Sequence, residues 1–310
     1  MNVGVALNAI DSDNQVDATV RLAAEAETAG LRSAWFGQGF GIDSPQLAAI
    51  VGREVPGLQV GTAAIPVFGR HPLVVSSQAL TAQAATHGRY HLGLALGTRL
   101  LTEDGMGIPF ERPIARLREF LVVLRQLIET GTSDFRGELI SAATPLPAGV
   151  PGATTGVPLL VAAMGPQALR VSGELADGIL PYLAGPRALA EHIVPAVTAA
   201  AAAAGRPAPR IVAFVNGVVT DDVESVRARA AERLAFYEQI PSYARVIELS
   251  GAKSAVDVTA IGNEETVRAE VQRYLDAGAT EVVFASTEIA GDADRHRTWS
   301  LLGELATERP

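Results

Sequence analysis

A (β/α)8 barrel is the fold this sequence predicts, on three observations. Short apolar runs rich in Val, Ile and Ala recur along the chain, helical patterns fill the intervals, and eight such runs can be counted. Residues 2–8 read as the first strand, and apolar residues at helical spacing run from Asp17 to Ala29 until Gly30 stops them. Leu31 to Gly37 is the second strand, followed by a helix with Ser44 as N-cap and Pro45 at N1. Leu58 to Ile65 is the third, and His71-Pro72 opens the helix after it. Tyr90 to Leu96 is the fourth, leading through a long loop to an Arg-rich amphipathic helix from about Glu111 to Glu129. The alternation pauses over residues 132–158. There Phe135 to Leu139 suits a small hairpin, and the Pro/Gly/Thr-rich passage from Thr144 to Pro158 cannot sustain a helix. This segment reads as an insertion, because Leu159 to Ala163 resumes the alternation as the fifth strand. Gly178 to Leu180 is a short sixth, followed by a helix from Pro186 that ends in the alanines 199–204 before Gly205. Ile211 to Val218 and Glu281 to Ser286 are the seventh and eighth strands, with helices over Asp222–Gln239, Glu264–Ala277 and Asp292–Thr307. Residues 240–262 read as an irregular linker before the last βα unit.

Eight parallel strands with right-handed crossovers close naturally into a barrel, and residues 1–310 are expected to form one domain. The alternative, an open doubly wound sheet, would want a Gly-x-Gly-x-x-Gly turn after the first strand. Asn8-Ala9-Ile10-Asp11 supplies none.

The composition narrows the partners. A net charge of −9 offers no attraction to phosphate backbones or anionic lipids, so nucleic acid and membrane surfaces are not expected partners. No run approaches the roughly 18 to 20 uncharged apolar residues of a membrane span, and the N-terminal run lacks the charged flank of a signal peptide. A cytoplasmic protein is expected. With no cysteine, thiolate metal sites and disulfides are excluded. Lys253 is the only lysine among 25 basic residues, a bias that reflects a GC-rich genome more readily than a physical demand.

In this fold chemistry sits at the C-terminal ends of the strands. The residues there are Asn8, Gln38, Ala63 to Pro66, Gly97-Thr98, Met164-Gly165, Pro181-Tyr182, Asn216-Gly217 and Ser286-Thr287. No carboxylate pair, histidine cluster or lysine is among them, which argues against metal-assisted hydrolysis, glycoside cleavage and Schiff-base chemistry; no metal site is expected. What remains is small and neutral, suited to a flat cofactor that carries the reactive atoms itself. Gly97-Thr98 and Ala163-Met164-Gly165-Pro166-Gln167 could receive phosphate on backbone N–H groups where a helix starts at Pro166, or could be plain tight turns.

Several segments together resemble the luciferase-like monooxygenase superfamily and, within it, the F420-dependent oxidoreductases of actinobacteria. Residues Gly61 to Pro72, reading GTAAIPVFGRHP, are similar to its third-strand motif. Ala24 to Gly30 with Ser33-Ala34-Trp35 resembles its first helix and second strand, and Gly173 to Gly178 the approach to its sixth strand. The resemblance implies a non-prolyl cis peptide at Ala63–Ala64, bulging against the back of the cofactor ring, with Ile65 beside it. It also implies that Gly97, Thr98, Met164, Gly165, Pro166 and Gln167 hold the ribityl and phosphate portions, and that Gln38 and Asn8 face the ring or substrate. For Gln38 the alternative is a polar residue satisfied at the start of a loop. Phe68, Trp35 and Phe40 could wall a substrate pocket or simply belong to the core. A homodimer through the helices flanking the early strands is implied as well.

The sequence departs from the members that act on glucose 6-phosphate, which place a His after the second strand and a Glu after the fourth; here those stretches read Gln38-Gly39 and Arg99-Leu100. A proton for substrate reduction would come from water, Tyr182, Tyr237, Tyr243 or the substrate. The five histidines, 71, 87, 91, 192 and 296, read as structural or solvated. The expectation is an F420-dependent reductase acting on an activated C=C or C=N bond of a small organic molecule. The competing readings are an FMN-dependent two-component monooxygenase and a barrel that binds a ligand without catalysis.

Overall fold

The computed structural model describes residues 1–9, 12–153 and 156–308. Ile10 and Asp11 of the first turn, and Thr154 and Thr155 of the insertion, lie outside the described residues. Eight parallel strands form the barrel: β1 (Val3–Ala6), β2 (Ser33–Phe36), β3 (Gln59–Thr62), β4 (Tyr90–Ala95), β5 (Leu159–Ala162), β6 (Gly178–Ile179), β7 (Arg210–Val219) and β8 (Glu281–Ala285). Each pairs with the next in chain order, and β8 returns to β1 with Val3 opposite Val282, so the sheet is closed. The expected alternation therefore folds as a barrel, and the open sheet is set aside. Most strands are a few residues shorter than the apolar runs that announced them. The extra residues belong to the turns at either end, as with Leu7, whose N–H still bonds Trp35 O at 2.9 Å.

Helix boundaries follow capping chemistry. The first helix, Gln15–Thr28, starts two residues earlier than its apolar pattern because Asn14 Oδ1 accepts the N–H groups of Val16 and Asp17 at 3.0 and 3.2 Å. Ser44 is not the N-cap of the second. Asp43 is, accepting from Gln46 N at 3.0 Å, and Ser44 is the first helical residue of Ser44–Glu54. His71 caps Pro72–Ala85 through Nδ1, as expected of a helix opening there. The last helix, Asp292–Thr307, has the expected bounds, and it packs so closely on the end of the first that a Cβ at Gly303 would lie 1.6 Å from Ala29 O.

Two excursions leave the barrel. The insertion carries an antiparallel pair, Asp134–Arg136 with Ser141–Ala143, pinned to helix Pro113–Thr130 by Glu119, which accepts the N–H groups of Glu138, Leu139 and Ile140. The second excursion corrects an expectation: residues 240–262 are not irregular. They contain helix Pro241–Leu249, a 3-10 turn Ala255–Val258 and a strand Ala260–Gly262 that pairs with the overhanging end of β7 at Gly217 to Val219. Helix Val223–Glu238 lies beside this unit, and Ala255 N bonds Glu238 Oε1 at 2.7 Å.

The barrel interior is layered. At the bottom, where strands begin, Glu281 pairs with Arg210 at 3.0 Å and accepts from Ser33 Oγ and from Trp35 Nε1. Arg210 also donates to His91 Nδ1 at 2.9 Å, so the ring proton is on Nε2 and goes to Gln59 Oε1 at 3.0 Å. Burial, with Arg210 alongside, pushes the His91 imidazole down to about 3, leaving it neutral. Above this layer lie Trp35, Leu160, Leu180, Val212, Phe214 and Val283. Trp35 is thus core, and so is fully buried Phe68; neither walls a pocket.

Candidate cofactor site at the barrel mouth

The top of that core is capped by small side chains. Ala6 from β1, Ala63 and Ala64 from the end of β3, and Ala162 from β5 are half-buried and pack on the Trp35, Leu180 and Phe214 layer. Three odd-numbered strands thus end in methyl groups, leaving a shallow apolar floor where long side chains would have filled the mouth. The Ala63–Ala64 peptide is cis, as the resemblance implied. The chain then rejoins the sheet at Ile65–Pro66, opposite Leu94 and Ala95 of β4. Ile65 points its fully buried side chain into the core, so only its backbone could meet a ligand.

Two turns leave the sheet side by side, because Ala95 of β4 and Ala162 of β5 are register partners. Gly97 takes a left-handed φ of +79°, and a Cβ there would face Pro66 and Thr102 Oγ1 at 3.5 and 3.6 Å. Thr102 Oγ1 is itself buried without a hydrogen-bond partner among the described residues. Thr98 Oγ1 accepts Leu101 N at 3.2 Å and so starts the helical turn Leu100–Asp104. On the other turn, Gly165, Pro166 and Gln167 are exposed, while Met164 packs half-buried against the core. Gly165 precedes helix Pro166–Leu175, no side chain caps that helix, and a Cβ at Gly165 would meet nothing within 4 Å. Free first-turn N–H groups facing open space, with Gly97 beside them, suit a phosphate-bearing group.

The two residues expected to face substrate fare differently. Asn8 is exposed at the rim. Gln38 is spent: Nε2 donates to Gly39 O and Ile42 O at 2.6 and 2.9 Å, and Oε1 accepts from Ser44 N and Ser44 Oγ at 3.0 and 3.1 Å. Both amide hydrogens and both lone pairs are used, which corrects its assignment to the ring face. Phe40, by contrast, is 71% exposed and stands on the rim against Gly105.

Across the mouth, the ends of β6, β7 and β8 bring Tyr182 together with Asn216 and Ser286, which the sequence placed at strand ends without a role. Asn216, almost wholly buried, donates from Nδ2 to Tyr182 Oη at 3.0 Å, and Ser286 Oγ donates to Asn216 Oδ1 at 2.9 Å. Tyr237, from helix Val223–Glu238, and Tyr243, from the second excursion, set their rings edge-on to Tyr182 with centroids 5.3 and 5.8 Å away. Burial and the neighbouring Tyr237 push the Tyr182 phenol well above its ordinary value, and the same causes push Tyr243 up to about 12. The three tyrosines that sequence alone offered as separate proton sources form one cluster. Nothing in the sequence joins Tyr182 to Asn216; only the parallel pairing of Tyr182 with Phe214 does.

The model of the luciferase-like monooxygenase family matches residues 3–300. The chain belongs to that family. An uncharacterized protein of Mycobacterium tuberculosis is 31% identical over 206 residues, and the match covers 63% of this chain and 61% of that relative. The F420-dependent glucose-6-phosphate dehydrogenase 2 of Rhodococcus jostii is 28% identical over 254 residues, covering 76% of this chain and 74% of that protein. Among solved structures, the coenzyme F420 dependent tetrahydromethanopterin reductase of Methanopyrus kandleri superposes with a TM-score of 0.79 at 22% identity, covering 98% and 97% of the two chains, and so shares the fold.

Family membership accounts for the motifs. Asp177, in the approach to β6, takes Arg125 and Arg206 on Oδ1 at 2.9 and 2.8 Å and the N–H of Leu159 on Oδ2 at 2.8 Å, joining the starts of β5 and β6. That motif is a joint of the barrel.

Proposed function

We propose that this chain is an F420-dependent oxidoreductase that transfers a hydride between reduced deazaflavin and an activated C=C or C=N bond of a small organic substrate. The observation that carries the proposal is the alanine floor beside two adjacent turns, one holding Gly97 in a left-handed conformation and the other starting an uncapped helix at Gly165, where a Cβ would meet nothing within 4 Å. The floor would support a planar ring. The backbone at Ala63, Ala64 and Ile65 would lie behind it, with Gly97, Thr98 and Met164 to Gln167 along the ribityl and phosphate portions. When bound, the deazaflavin supplies the hydride; the protein binds, orients and excludes water. The neutral mouth fits this division of labour, since hydride transfer needs no strong protein base.

The relatives named for F420 support this cofactor, while the family's name and the neutral floor support FMN as the second reading, a two-component monooxygenase. Glucose 6-phosphate is set aside for this chain: Gln38 is consumed by its own loop, and Arg99 is paired with Glu103. Titrating the purified protein with F420 and with FMN, followed by fluorescence, decides between the readings. Micromolar or tighter binding of F420 with no response to FMN is expected. Tight FMN binding with no response to F420 would reverse the assignment.

The same reading makes the enzyme a cytoplasmic homodimer through the helices that follow β2 and β3, where Ile50 and Val74 stand exposed at 42% and 57%. Among the described residues no helix is long and apolar enough to cross a membrane.

A further inference from the structure

Thr19, Thr28, Thr86, Thr130 and Thr298 each donate the side-chain hydroxyl to the carbonyl four residues back, at 2.6 to 2.8 Å. Thr102 departs from this pattern. Its amide does reach the carbonyl four residues back, Thr98 O, at 3.0 Å, and its own carbonyl accepts Ile108 N at 3.0 Å, so the backbone is held on both sides. Yet Thr102 is fully buried and its Oγ1 makes no hydrogen bond among the described residues. A buried hydroxyl without a partner destabilises a fold, and back-bonding to Thr98 O would remove that cost. The hydroxyl is turned instead to Gly97. Oγ1 lies 3.6 Å from the point where a side chain at 97 would begin, so with glycine there no side chain separates the hydroxyl from the turn. Pro66 bounds the same point at 3.5 Å and offers only carbon, while Thr98 Oγ1 is committed to Leu101 N. The turn also starts at the edge of the alanine floor, since Ala95 of β4 is the register partner of both Pro66 and Ala162. The amides of the uncapped helix after Gly165 suit a phosphate, which leaves the Gly97 turn to the polyol chain between ring and phosphate.

We infer that Thr102 is a cofactor-binding residue whose hydroxyl donates to a hydroxyl oxygen of the ribityl chain. This rests on the cofactor reading above and holds for F420 and FMN alike, since both carry that chain. In this structure Oγ1 is closed off from solvent, so the short helical turn Leu100–Asp104 that carries it gives slightly as the chain seats. For the same reason Oγ1 has no bond to water to give up. The hydrogen bond gained on binding is therefore not offset on the protein's side, and it contributes more than an exchange of one partner for another would.

The test pairs two readouts of opposite sign. Thr102→Val replaces the hydroxyl by a methyl of the same shape. The thermal midpoint of the cofactor-free protein is expected to hold or rise, while F420, followed by fluorescence titration, binds about 10-fold more weakly. Thr102→Ser keeps the hydroxyl and should bind F420 within about threefold of wild type. A deazaflavin bearing the ribityl chain but no phosphate should lose affinity for Thr102→Val by the same factor as F420, because the partner is on the chain. Wild-type F420 affinity in Thr102→Val overturns the inference. So does a fall in affinity and midpoint together without rescue by serine, which would make Thr102 a packing residue, and so does a loss confined to the phosphate-bearing cofactor. Should the wild type bind neither F420 nor FMN, the cofactor reading itself falls and takes the inference with it.

Discussion

Gln38 and Ala162 show how a residue's role depends on what its atoms touch. Gln38 stands where a ring-facing group was expected, yet its four hydrogen bonds close the loop after β2 and hold the start of helix Ser44–Glu54. Gln38→Ala should lower stability by about 1 to 3 kcal/mol, read as a fall in denaturation midpoint, while F420 affinity stays within about twofold of wild type. A collapse of affinity without loss of stability would restore the ligand-facing role. Ala162 is the converse. Its methyl ends β5 at the floor, and Ala162→Phe raises the floor into the space meant for a ring, so F420 affinity is expected to fall at least about tenfold with the thermal midpoint nearly unchanged, since the site opens to the mouth. Equilibrium titration and thermal melts of the same preparation separate the two effects. Small residues at strand ends were legible in the sequence. For Gln38 the sequence left two readings open, and only the structure decides for a residue satisfied within its loop, because that depends on Ile42 O and Ser44 turning back toward β2.

Elements were legible where their signals are local. Periodicity and caps place most helices within a few residues, and the eight runs become eight strands. The unit over 240–262 reads as an irregular linker, whereas Pro241 occupies the first turn of a helix, where proline fits. The Ala260–Gly262 strand is three residues long and owes its existence to the overhang of β7, a non-local cause. The bottom layer of the barrel carries a pH dependence of its own. His91 titrates near 3 when folded, against an ordinary 6.5, so between these values the unfolded chain binds the extra proton and stability falls as pH drops. Below pH 6.5 the slope from this group approaches about 1.4 kcal/mol per pH unit. Urea midpoints measured from pH 7 to 4.5 should decline more steeply in the wild type than in His91→Gln; parallel curves would show that His91 does not carry the effect.

At the scale of the whole molecule, closure of the barrel was legible from the count and spacing of its runs, and the site was legible only on one side. The floor and its turns are contiguous motifs, while the tyrosine wall joins residues 182, 216, 237, 243 and 286 across three strands and an excursion. Light scattering checks the proposed assembly: a mass of roughly twice 32.3 kDa is expected for the wild type, and Ile50→Asp combined with Val74→Asp should yield the monomer. A monomeric wild type would dismiss the interface.

Helix Val223–Glu238 and the second excursion hang from the barrel between β7 and β8, contribute Tyr237 and Tyr243, and supply no part of the alanine floor. On the proposed function, recognition of the coenzyme and choice of what it reduces would be written in separate stretches of polypeptide, so that divergence could rework one without disturbing the other. Grafting residues 221–263 from a relative with a different acceptor should transfer acceptor preference while the dissociation constant for F420 stays put. A graft that alters the latter as strongly as the former would show that the two vocabularies are not independent.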